Sequence, residues 1–117
     1  MTTYEMIEDK MLEMGFTPGV NGFYSLAHAV NYFFENPEKV FFQTKISGEI
    51  YPYVGQKMGI TASAAERNIR HLIESSIYTN PNIFGNLTDM NKGKVTNSTA
   101  ISYLLILVKR EIGSNEI

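Results

Sequence analysis

Cysteine is missing from all 117 residues. That excludes a disulfide framework, a thiolate metal site and a catalytic thiol together. Histidine is scarce, with only His28 and His71, so zinc has few ligands to draw on. No run of about 18 apolar residues occurs, and no membrane span is expected. The opening stretch, Met1 to Lys10, is polar and acidic rather than basic and then apolar. No export signal is expected, and a cytoplasmic location follows. Glycines never cluster into a phosphate-cradling loop, and the two histidines lie far apart in the chain. Paired carboxylates occur only on a first, solvated helix face. The sequence therefore points to no enzyme, no metal and no cofactor.

Apolar residues are plentiful at 44%, with seven Phe and seven Tyr for bulk. That is enough for one domain over residues 1–117 with its own core. The net charge of −2 hides a segregation. Residues 1–38 set six carboxylates against Lys10, while residues 39–110 set nine cations against four carboxylates. Screening cuts interactions beyond about 8 Å, so a local cationic face can act on a partner despite an acidic total.

Periodicity reads as helix throughout. Tyr4, Ile7, Met11, Leu12 and Met14 place an amphipathic helix over about 3–14, ended by Gly15. Asn21-Gly22 belongs to a loop, and Ser25 caps a second helix that Asn36-Pro37 ends. A short helix or turn precedes Tyr51, and a helix starts near Pro52, where proline is tolerated. Thr61 caps a helix over about 62–77. Ile83 to Val95 is mostly loop with one turn of helix. Thr96 or Asn97 caps a last helix to about Glu111, apolar enough to be buried on most sides. The expected fold is all-α, a compact bundle of five to seven helices.

The informative segment is Tyr51 to Leu72. A helix-turn-helix needs a small residue where its helices cross, a turn tolerant of positive φ, and an apolar plug. Gly55, Gly59 and Ile60 supply these, with Ala65 and Ile69 facing inward. Ser63, Glu66, Arg67, Arg70 and His71 are left pointing outward or flanking the inward stripe. Small residues first and arginines one turn later suit entry into the major groove of double-stranded DNA. Arginine can donate twice to guanine, and glutamate can accept from cytosine. The competing interpretation makes Glu66–Arg70 an ion pair on a solvated face.

The residues Tyr51-Pro52, Thr61-Ala62-Ser63, Glu66-Arg67 and Ile69-Arg70-His71 also carry a resemblance. With Lys92, Lys94, Thr96-Asn97-Ser98, Gly15-Phe16, Gly22-Phe23-Tyr24 and Ala29, the chain resembles a known family from about Met6 to Ile112. That family comprises the C-terminal effector domains of the master response regulator of sporulation in endospore-forming bacteria. The resemblance implies a transcription regulator whose recognition helix, here about 62–77, enters the major groove of TGNCGAA-like boxes. It implies that Glu66, Arg67, Arg70 and His71 touch bases or nearby phosphates, and that Lys92 and Lys94 hold the backbone. It further implies neighbouring copies head to tail on DNA, contacts between them through the last helix, and an RNA polymerase contact near Asn80 to Asp89.

The pattern is broken in places. Ala64 stands where the family has arginine, the loop at 79–90 differs, and no phosphoacceptor receiver precedes the motif, so a stand-alone relative is expected. The alternative function is a protein-interaction or dimerisation module that modulates a full-length regulator without reading DNA. His28 is expected to be structural, and Lys109 and Arg110 to suit the helix dipole.

Overall fold

The computed structural model describes residues 1–87 and 94–115, among which five α-helices and no strand occur. Helix α1 (Thr3–Met14) covers the residues its apolar spacing predicts. The Thr2 side chain accepts from the Glu5 N–H at 3.1 Å, and the Glu5 carboxylate accepts from the Thr2 N–H at 2.8 Å. Two otherwise orphaned donors are thereby satisfied. These bonds hold the Glu5 carboxyl below its usual range.

Helix α2 (Asn21–Glu35) corrects the expectation of a loop followed by a Ser25 cap. Ser25 is fully buried inside the helix, and its hydroxyl donates to Met58 Sδ at 3.0 Å. Gly22 belongs to the helix too. A Cβ at that position would stand 2.5 Å from the Asn68 carbonyl oxygen and 2.7 Å from Leu72 Cβ. The glycine is there for close packing on α4, not for a turn. Leu26, Ala27, Ala29, Val30 and Phe33 are buried along α2, which packs against every other helix and forms the centre of the core.

After Asn36 the chain makes a short 3-10 turn (Phe41–Gln43) and a π turn (Ile46–Ile50). The π turn runs straight into α3 (Tyr51–Met58), with Pro52 in the first turn, where its missing N–H costs nothing. Helix α4 (Ala62–Thr79) reaches slightly past its expected end, and α5 (Asn97–Asn115) runs past Glu111.

Between them, residues 81–86 form successive turns, as a loop-rich composition suggests. Their role is larger than composition implies. Ile83 and Phe84 are buried, and Phe84 meets Phe16 and Tyr103 edge-on at ring separations of 5.7 and 5.8 Å. Ala100, Ile101, Leu104, Leu105 and Val108 bury most of α5, although Ile106 stays 47% exposed. Its position in the run made it look interior, but it falls on the strip of α5 that the other helices leave uncovered. No helix among the described residues is long and apolar enough to cross a membrane. The radius of gyration, 13.5 Å, is that of a packed chain of this length, for which about 13.4 Å is expected.

Candidate nucleic-acid interface

Helices α3 and α4 are joined by the three residues Gly59, Ile60 and Thr61. Each has the part its chemistry suggests. A Cβ on Gly55 would come within 2.5 Å of the Ile60 carbonyl oxygen, so only glycine lets the turn lie against α3. The Ile60 N–H donates back to the Gly55 carbonyl at 2.9 Å. Gly59 takes φ +69°, a conformation that side chains disfavour. Ile60 is half-buried against the core. Thr61 Oγ1 then accepts from the Ala64 N–H at 3.0 Å and starts α4.

Ala65, Ile69, Leu72 and Ile73 face the core from α4. The opposite flank is open. Ser63, Arg67, Arg70 and His71 are exposed and Glu66 is half-exposed. Ser63, Arg67 and Arg70 recur at i, i+4 and i+7, so they share one face of the helix. The first turn of α4 holds no acidic residue, which leaves the positive end of its dipole uncompensated. Glu66 Oε1 accepts from Arg70 Nε at 3.0 Å. Hydrogen bonding to Glu66 also pushes the Arg70 pKa up, so the guanidinium stays charged.

A groove of about 670 Å³ runs beside this flank, between α4, Ile46 and the start of α5. Ile73, Ile77 and Val95 form apolar parts of its wall, while Glu66, Arg70, Glu74 and Lys94 line it with charge. The fold thus brings Lys94 to the same groove as Glu66 and Arg70 although the three are distant in sequence. His71 turns towards a smaller hollow at the start of α2, lined with Gly22, Asn68 and Leu72. Lys92 lies outside the described residues.

One residue of this region escapes sequence reasoning in its role. Asn97 Nδ2 donates to Tyr51 Oη at 3.0 Å and to the Glu66 carbonyl oxygen at 3.1 Å. Burial pushes the Tyr51 hydroxyl pKa up, and the Asn97 bond pulls it partly back. At sequence level Asn97 offers only a cap signal, and the cap proves to be Thr96, whose Oγ1 accepts from the Thr99 N–H at 3.1 Å.

No cluster of three or more His, Cys, Asp or Glu that could hold a metal occurs among the described residues. The family model described as "Sporulation initiation factor Spo0A C terminal" matches residues 7–107. The match takes in the core helices, the turn at Gly59 and the whole exposed flank of α4. The chain belongs to the Spo0A C-terminal family, a DNA-binding effector domain of a sporulation regulator and not a known enzyme family.

Proposed function

We propose that α4 enters the major groove of a TGNCGAA-like box and reads it with its open flank. Arg67 and Arg70 donate to guanine O6 and N7, and Glu66 accepts from cytosine N4. Ser63 and His71 contact bases or the phosphates beside them. Lys94, with Lys92, holds the backbone, which positions the helix without carrying sequence information. Two copies occupy neighbouring boxes head to tail, meeting through α5, and the loop after α4 meets RNA polymerase.

The observation that carries this reading is the shared exposed face of Ser63, Arg67 and Arg70 on a helix whose other side is core. Lys94 at the edge of the same groove adds the cation that a phosphate contact needs.

Fluorescence anisotropy with a TGNCGAA duplex and a scrambled duplex tests it. Arg67→Ala and Arg70→Ala each weaken box binding by about 1–3 kcal/mol and relax sequence preference. Lys94→Ala weakens both duplexes alike and lowers the salt slope by about one. Arginine variants that bind the box like the parent overturn the assignment.

A further inference from the structure

We propose that Asn97 is a positioning residue that fixes the register of the reading helix against the segment holding the DNA backbone. The inference rests on the α4 reading above and extends it to a residue with no part in touching DNA. Asn97 opens α5, three positions after Lys94. Its amide nitrogen carries two hydrogens, and both are committed. One goes to Tyr51 Oη and the other to the Glu66 carbonyl oxygen. Tyr51 is 9% exposed and packed in the core at the first turn of α3. Glu66 sits among the residues that face the DNA. A single side chain therefore ties α3, α4 and α5 together at the level of the reading residues.

The tie matters because of lever length. A rotation of about 20° about the α4 axis moves a side-chain tip about 6 Å out by about 2 Å. That is enough to break a hydrogen bond whose useful range is only a few tenths of an ångström. Phosphate contacts through flexible lysines survive such a shift, whereas bidentate base contacts do not. Loss of the Asn97 bonds should therefore reduce discrimination between sequences before it reduces binding to DNA in general.

Asn97→Leu keeps the branched side-chain shape and removes both donors, and Tyr51→Phe removes one acceptor. Anisotropy titrations of parent and variants with box and scrambled duplexes at one salt concentration, alongside thermal melts, read the effect. Asn97→Leu is expected to lose about three- to tenfold in box affinity, as two modest hydrogen bonds allow. Affinity for the scrambled duplex is retained, while the melting temperature falls modestly because the buried Tyr51 hydroxyl loses its partner. Tyr51→Phe shows a smaller loss of the same kind, and it decides the matter alone if Asn97→Leu does not fold. Equal losses on both duplexes would mean a merely structural role and overturn the proposal. A parent and variants that discriminate equally well overturn it too, and leave the α4 reading standing. A parent that fails to discriminate at all removes the α4 reading, and this proposal with it.

Discussion

Arg67 and Arg70 stand in different surroundings in the free protein. Arg70 is paired with Glu66 at 3.0 Å, while Arg67 makes no ion pair among the described residues. Opening an exposed i, i+4 pair costs about 0.2–0.5 kcal/mol, and a bidentate guanine contact discriminates by about 1–3 kcal/mol. The exchange favours the base, so the ion pair and the reading role are compatible. Ala64 flanks the face that Ser63, Arg67 and Arg70 share. Its N–H is engaged by Thr61, and its side chain is only a methyl group. Ala64→Arg should add about 1–3 kcal/mol of discrimination at one box position, measured as the affinity ratio for duplexes differing at that base pair.

His28 shows what one sequence could not tell. Its neighbours Ala27 and Ala29 suggest a structural residue, and the half-buried ring does stack against Tyr4 at 4.7 Å. Its Nδ1 is buried without a hydrogen-bond partner among the described residues. Burial pushes the imidazole below its ordinary 6.5, Lys57 pushes the same way, and Glu35 opposes them. A pKa lower in the folded than in the unfolded chain makes the unfolded chain bind more protons. The stability His28 contributes is thus present above pH 6.5 and lost as pH falls through the folded value. Thermal melts should fall more between about pH 7.5 and pH 5 for the parent than for His28→Leu. Equal falls would show that His28 does not titrate as described. Asn97 lay further from view, because its partners stand 46 and 31 positions away. No local pattern encodes such contacts.

At the scale of elements, legibility followed local chemistry. Helix α1 and the α3–turn–α4 unit announced themselves through Gly15, Gly55, Gly59 and Thr61, whose effects act within a few residues. The start of α2 did not, because Val20 precedes it without any side-chain capping bond. Ser25, a good cap by type, was drawn into the core instead. Phe84 had the same cause in reverse: a loop composition concealed a ring that closes the core between Phe16 and Tyr103. The sharpest prediction here concerns Gly55. Gly55→Ala would force a methyl to within 2.5 Å of the Ile60 carbonyl oxygen, a backbone atom that cannot simply swing away. Overpacking of this kind costs about 1–3 kcal/mol. A urea titration should show a lower midpoint with an unchanged slope, and a parent-like midpoint would show that the helices cross with room to spare.

Across the whole molecule, charge is distributed so that the acidic helix α1 docks far along α5 from the exposed flank of α4. Lys10 of α1 pairs with Glu111 at 3.2 Å, which docks the acidic helix near the far end of α5. At 1.5 Å per residue, Glu111 lies about 21 Å along α5 from Asn97. Mobile ions screen that separation, since the screening length is about 8 Å at physiological salt. Part of the remaining acid is neutralised nearby, through Lys57–Glu35 at 3.7 Å. A chain with a net charge of −2 can therefore present a locally cationic flank to a polyanion.

The most direct test is an anisotropy titration of the parent protein with a TGNCGAA duplex and a scrambled duplex at about 50 and 200 mM salt. Reading by α4 predicts tighter binding to the box at both concentrations, with affinity falling steeply for both duplexes as salt displaces the phosphate contacts. Affinities that are equal for the two duplexes and flat with salt would contradict it.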